Sequence, residues 1–217
     1  ASYFFAWGDY FAKELKILNP NLKVKIYGYP NKDFQVSVRK KSKKIIFLGQ
    51  SYGTYITRKC FNDFFFIMIE VAKCLKDFQI IYRPHPSPHP DTNYSDIRKD
   101  LKLNKINIDK SNNLYKHLND SLISVGILTS SLMEAILLDS IPVSYNPTCL
   151  NNAINFEKLE IGISNKNKDI IINKLIDLAN NDALIKYYQN KIIEKKEEFF
   201  LTHQTSSIPE FILNNKL

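Results

Sequence analysis

One short stretch of the 217-residue chain combines residue types and spacing that could do chemistry: "FQIIYRPHPSPHP", residues 78–90. The apolar run from Phe78 to Tyr82 has strand composition and ends in Arg83. Pro84, Pro86, Pro88 and Pro90 then alternate with His85, Ser87 and His89. Proline lacks the amide donor that a sheet ladder needs, and it pushes the residue before it out of the helical region. The chain must therefore leave the sheet stiffly, which fixes Arg83 and His85 at a strand end. A guanidinium makes paired hydrogen bonds to phosphate or carboxylate, and an imidazole can donate an N–H to the same kind of group. His89 could join them or merely decorate a turn. His117, in "NLYKHLND", reads as a packing or surface residue, and His203 in the tail is assigned no role.

A second candidate is "GILTSSLMEA", which places Gly126, Thr129, Ser130 and Ser131 between a strand and a helix. Hydroxyls beside free backbone N–H groups at a helix start suit an anion such as phosphate. Plain N-capping explains the same residues, with Thr129 or Ser130 as cap and Glu134 closing a capping box. A third, "GQSYGT", sets Gly49 and Gly53 around Gln50. Its glycines allow close backbone approach to a ligand, or simply a tight strand-to-helix turn. It is not a dinucleotide fingerprint, since G-x-G-x-x-G is absent. Neither a G-x-S-x-G nucleophile elbow nor a Walker-type lysine loop is present.

The elements that must position these residues alternate. "YFFAW", "DYFAKELKIL" and "KVKIYG" read as strand, helix and strand. "SVRKKSKK" follows, a basic run without apolar period that serves as a linker or as a lysine-rich loop. Beyond it the spacing predicts strands at "KIIFLGQ", "FQIIYR", "INID", "LISVGIL" and "IPVSYN". Helical segments fall between them at "YITRKCFNDFFFIMIEVAKCLKD", near "YSDIRKDL", at "NLYKHLND" and at "SSLMEAILLDS". Such alternation implies right-handed crossovers and a parallel sheet covered on both faces, a doubly wound α/β domain. The tail carries two amphipathic helices, "NKDIIINKLIDLANND" and "YYQNKIIEKKEEFF", expected on the flank of that domain. Ligands of open α/β sheets bind at the carboxyl ends of the strands near the switch in strand order. "GQSYGT", "RPHP", "DKSNN" and "GILTSSLMEA" all follow strands there.

Composition excludes several classes. Hydrophobic residues make up 44% of the chain, enough for an ordinary core. No apolar run approaches the roughly 20 residues that cross a bilayer. Cys60, Cys74 and Cys149 lack disulfide or zinc spacing and read as reduced thiols of a cytoplasmic protein. The net charge of +8 favours anionic partners, although lysine mixed with asparagine and isoleucine also marks an AT-rich genome. The first residues resemble no signal peptide, and with no initiator Met we expect a segment of a longer protein.

Taken together, "YRPHP" after the domain's second strand and "TSSLMEAILLDSIPV" after its fourth resemble the donor-binding, C-terminal Rossmann-like domain of GT-B glycosyltransferases. The likeness is to bacterial enzymes of capsule and lipopolysaccharide assembly, the sialyl- and Kdo-transferases that use CMP-sugars, and to CDP-glycerol polymerases. Those families carry a His-Pro pair and a Ser-Ser pair facing the donor phosphate, matched here by His85-Pro86 and Ser130-Ser131. Glu134 matches an acid often found one turn later, and "KIYGYP" matches a strand that precedes the donor domain.

The resemblance, over residues 22–148, implies a remnant of an N-terminal α/β domain plus linker at 1–42 and a donor-binding domain at 43–217. Arg83, His85, Ser130 and Ser131 would hold phosphate, while Gly49, Gln50 and the backbone after Tyr145 would line the nucleotide pocket. The nucleotide-sugar is then the substrate, and no metal or further cofactor is implied. Expected partners are that donor and a glycan or lipid-linked acceptor, with peripheral association at the inner face of a membrane as an option and no nucleic acid. The chain departs from the pattern in lacking most of the domain that supplies the catalytic base, so no base is assigned and the fragment alone is expected to be inactive. Non-hydrolysing UDP-GlcNAc 2-epimerases share the His-Pro and serine loops. A non-catalytic α/β binding module with capped loops is the competing class and would show no nucleotide affinity.

Overall fold

The computed structural model describes residues 3–29, 41–51, 56–87, 94–109, 111, 113–148 and 154–200. The chain divides into two compact units, Ala1–Gln35 with Ile193–Leu217, and Val36–Ile192. In the smaller unit β1 (Phe4–Ala6), α1 (Asp9–Leu18) and β2 (Val24–Ile26) form the strand-helix-strand expected from sequence, with the strands parallel and Phe4 opposite Val24.

The larger unit is a six-stranded parallel sheet built from β3 (Ser42–Leu48), β4 (Gln79–Arg83), β5 (Asn107–Ile108), β6 (Ser121–Gly126), β7 (Ile141–Tyr145) and β8 (Ile163–Asn165). The strand order is β5-β4-β3-β6-β7-β8. The chain thus winds outward from β3 to β5, returns to the other side of β3, and winds outward again to β8. This is the doubly wound, Rossmann-like arrangement, with its switch point between β3 and β6. Strands buried on both faces read as continuous apolar runs. Accordingly Ile45, Ile46 and Phe47 in β3 have no solvent exposure, and every residue of β6 is buried. Buried Ser124 and Ser140 satisfy each other across 2.7 Å.

The helices are α2 (Arg58–Cys74), α3 (Tyr94–Leu103), α4 (Leu114–Asp120), α5 (Ser131–Leu137), α6 (Lys168–Asn180) and α7 (Asp182–Phe199). Local chemistry sets several starts: Thr57 accepts from the Cys60 amide at 3.2 Å, and Asn167 accepts from the Asp169 amide at 2.8 Å. The ring of Phe64 on α2 meets that of Phe47 edge-on at 5.6 Å, anchoring the helix to the central strand.

Two features lie beyond the sequence reading. Strand β8 is not foreseen from sequence, because three residues carry no period, and only pairing of Ile163 with Val143 makes them a strand. Both tail helices form as the sequence implies. The α6 helix does pack against α2, but residues from Ile193 onward cluster with the smaller unit. The reason is aromatic: buried Phe199 and Phe200 meet Tyr10 at 4.7 Å and Trp7 at 6.1 Å between ring centroids.

Among the described residues no helix is long and apolar enough to cross a membrane, and no group of three His, Cys, Asp or Glu side chains could hold a metal ion. Cys60 and Cys74 are free thiols, and Cys149 lies outside the described residues.

Candidate functional site

At the carboxyl edge of the larger sheet, where β3, β4 and β6 end beside the switch point, lies a cleft of about 460 Å³. Leu48, Gly49 and Gln50 line it from β3, Arg83 to Pro86 from β4, Leu114 from α4, and Leu128 to Ser131 from the β6–α5 loop. The structure therefore brings together eight of the nine candidates read from sequence: Gly49, Gln50, Arg83, His85, Pro86, Thr129, Ser130 and Ser131. Glu134 stands apart from the lining; its Oε1 lies 3.4 Å from the Tyr115 hydroxyl of α4, which donates to it. Asn146 to Thr148, after Tyr145, are not in the lining either. His89, His203 and Gly53 lie outside the described residues.

Gly49 is required by proximity. Its amide donates to the Arg83 carbonyl at 2.7 Å, and a Cβ on it would stand 2.8 Å from that oxygen and 3.1 Å from the His85 nitrogen. The glycine thus lets the ends of β3 and β4 close up and seats the His-Pro loop against β3. Gly126 acts similarly beneath the serine loop, where a Cβ would meet Thr129 Cγ2 at 2.5 Å. Within that loop Leu128 has φ of 46°. A left-handed leucine costs on the order of 1 kcal/mol, which the surrounding packing must hold in place.

The donors around the cleft follow from these placements. His85 Nδ1 is engaged in its own turn, 3.1 Å from the Ser87 amide and 2.9 Å from the Ser87 carbonyl. When Nδ1 accepts from that amide, the neutral ring carries its proton on Nε2. Turn-making and binding are therefore compatible roles for this histidine. Thr129 rather than Ser130 caps α5: Thr129 Oγ1 accepts from the Ser131 amide at 3.3 Å, while Ser130 makes no side-chain cap bond. Among the described residues the hydroxyls of Ser130 and Ser131 make no hydrogen bond. The capping box expected through Glu134 is not formed by Ser130. Since α5 spans only seven residues, hydroxyls and first-turn amides outweigh any macrodipole.

Arg83 has a partner that sequence reasoning missed. Register places Tyr82 beside Ile108, so the next residues, Arg83 and Asp109, are neighbours, and Arg83 Nη1 donates to Asp109 Oδ2. The same Nη1 donates to the Ser111 carbonyl at 3.1 Å, leaving Nε and Nη2 without a protein partner among the described residues. Asp109 also accepts from the Ser111 amide at 2.8 Å, and His117 Nε2 lies 3.2 Å from its Oδ1. Burial alone would raise the Asp109 pKa, but the Ser111 and Arg83 hydrogen bonds, with a smaller electrostatic contribution from His117, hold it below the ordinary carboxylate value. Among the described residues His117 Nδ1 is buried without a partner, while Nε2 faces the carboxylate. The available signal was an acid at the end of "INID", in the stretch leading to "DKSNN"; only the register made it meaningful.

The fold has many solved counterparts. TarM of S. aureus, in a mutant form described in complex with fondaparinux, alpha-GlcNAc-glycerol and UDP, superposes with a TM-score of 0.59 at 19% identity, covering 98% of this chain and 43% of TarM. The UDP-GlcNAc 2-epimerase of Neisseria meningitidis, bound to UDP-GlcNAc, gives 0.61 at 14% identity, covering 99% and 62%. The wall teichoic acid polymerase TagF gives 0.55 at 16% identity, covering 98% and 56%. The chain spans about half the length of these proteins. No family model matches it, and no curated protein sequence does. At these identities the likeness establishes the fold alone, the Rossmann-like parallel sheet flanked by helices that these structures share.

Proposed function

We propose that the chain is the donor-binding portion of a glycosyltransferase that takes a nucleotide-sugar. The observation that carries this reading is the convergence of Arg83, His85, Thr129, Ser130 and Ser131 on one cleft at the switch point, where open α/β sheets bind ligands. In this reading Arg83 Nε and Nη2, His85 Nε2–H and the serine hydroxyls receive the donor phosphate, Pro84 and Pro86 stiffen the loop, and Gly49 and Gln50 lie against the nucleotide. The same contacts would stabilise the leaving nucleotide as the glycosidic bond breaks.

The short motifs favour a CMP-sugar donor and a surface polysaccharide or lipopolysaccharide acceptor. The neighbours described with UDP favour a uridine nucleotide, and TagF adds a teichoic acid polymer as acceptor class. The smaller unit is the remnant of the domain that would carry the catalytic base, so the purified chain is expected to transfer no sugar. The expected location is the cytoplasm, with peripheral association at the inner face of a membrane as an option, and no metal is called for.

Thermal shift and calorimetry with CMP, CDP, UDP and GDP test the reading. A ligand at 100 times its Kd stabilises a fold by about 2.7 kcal/mol. Binding should weaken on His85→Ala and on Ser130→Ala/Ser131→Ala. No response to any nucleotide would sink the proposal and leave the binding-module reading. A preference for UDP over CMP would replace the expected CMP-sugar donor with a uridine nucleotide. It would fit both the glycosyltransferase and the second reading, a sugar-nucleotide epimerase, to which the Neisseria enzyme is the structural parallel. Conversion of UDP-GlcNAc without an acceptor would favour the latter.

A further inference from the structure

We propose that Asp109, backed by His117, is a positioning residue that aims Arg83 and makes the cleft select phosphate by direction rather than by net charge; this rests on the nucleotide-binding reading above. Asp109 side-chain exposure is 2% and that of Arg83 is 19%, so the pair sits mostly out of water with its guanidinium on the cleft wall. Three donors converge on the one carboxylate: Arg83 Nη1, the Ser111 amide and His117 Nε2. The Ser111 carbonyl takes a second hydrogen bond from Nη1. A guanidinium is planar and rigid, so holding Nη1 from two sides fixes the plane of the whole group. Nε and Nη2 then form the remaining edge, a two-donor fork suited to two oxygens of one phosphate.

The charge balance makes this more than support. Asp109, held below the ordinary carboxylate pKa, is ionised at neutral pH and cancels the charge of Arg83. Among the described residues, the only other ionisable side chain in the cleft lining is His85. A near-neutral cleft cannot hold an anion through bulk attraction, so binding must come from aligned donors whose alignment costs nothing at the moment of binding. The role of His117 follows: together with the Ser111 amide it occupies Oδ1 and leaves Oδ2 for Arg83. The sequence motif behind this arrangement, an acid closing the third strand of the domain, has no other task in the proposed site.

The test compares UDP and CMP with uridine and cytidine, by calorimetry on the intact chain carrying Asp109→Asn, Asp109→Glu, Arg83→Lys, or Arg83→Lys with Asp109→Asn. Asp109→Asn keeps an acceptor for the Ser111 amide but releases Arg83. Asp109→Glu keeps the charge, and therefore a paired buried arginine, but shifts the carboxylate by one methylene. The expected result is a loss of about tenfold or more in nucleotide affinity for either Asp109 variant, with nucleoside affinity unchanged. In the Arg83→Lys background, Asp109→Asn should cost little more, because it acts through Arg83. Unchanged or tighter nucleotide binding in both Asp109 variants would overturn the proposal, as would equal losses for nucleotide and nucleoside. Should Asp109→Asn fail to fold, Asp109→Glu decides alone. Failure of the wild-type chain to bind any nucleotide would instead overturn the donor-binding reading, which keeps the two failures distinct.

Discussion

The two edges of the larger sheet treat their polar groups in opposite ways. At the amino edge, Lys41 Nζ donates to the carbonyls of Leu118 and Asn119, the latter at 2.6 Å, and to that of Leu138. Ser42 Oγ donates to the Asp120 carbonyl at 2.8 Å, and Lys44 pairs with the Asp120 carboxylate at 3.6 Å. Helices α4 and α5 end there, and their last carbonyls attract cations. At the carboxyl edge, strands end and helices begin, so the groups left over among the described residues are donors: Arg83 Nε and Nη2, His85 Nε2 and the Ser130 and Ser131 hydroxyls. One edge closes its hydrogen bonds within the protein, while the other aims donors into a cleft. Stability should therefore respond to changes at the first edge, and ligand affinity to changes at the second.

The largest expected effect is at the amino edge. Lys41→Met removes three charge-assisted bonds and strands carbonyls of two helices, which should lower unfolding free energy by about 3 kcal/mol in a urea titration. Nucleotide affinity should stay within about twofold, since RT ln 2 is only about 0.4 kcal/mol. An equal fall in affinity would break the division between edges.

Asp109 is where that division is sharpened, because it is a buried charge at the carboxyl edge. Its folded pKa is depressed, so its contribution to stability is present above the ordinary carboxylate pKa and is lost as pH falls through the folded value. Asp109→Asn should cost about 2 to 3 kcal/mol near pH 7, and the gap from wild type should shrink below about pH 4. A gap that stays constant from neutral to strongly acidic pH would mean that packing, not ionisation, is what the substitution removes.

A smaller stability change with a larger binding change is expected from Gly49→Ala. The new methyl meets the backbone oxygen of Arg83, which cannot rotate away, so the His-Pro loop must shift. Strain of this kind costs about 1 to 2 kcal/mol, and on the proposed reading displaced donors should weaken nucleotide binding by about tenfold. Retained affinity with lost stability would place Gly49 in the scaffold rather than in the site. The smallest effect is expected at Glu134. Outside the cleft lining and next to Tyr115, its replacement in Glu134→Gln should alter affinity by less than about twofold, or about 0.4 kcal/mol, in the same calorimetric series.

Much of this molecule was legible from its sequence for a physical reason: local signals are strong where one short segment carries them. Apolar runs such as "KIIFLGQ" and the helical spacing after Thr57 announced β3 and α2, and the prolines after Arg83 announced the exit of the chain from β4. Candidates at three strand ends could be named because such sheets bind ligands there. Sequence could not say which strands are neighbours. The register that sets Arg83 beside Asp109, the return of the chain across β3, and the pairing that turns Ile163–Asn165 into β8 arise from hydrogen bonds between segments far apart in the chain. The same holds for Phe199 and Phe200, whose amphipathic helix reveals an apolar face but not the aromatic cluster that covers it. Period and composition specify what a segment is. Which buried donor meets which acceptor depends on the packing of the whole sheet, and that only the tertiary structure decided.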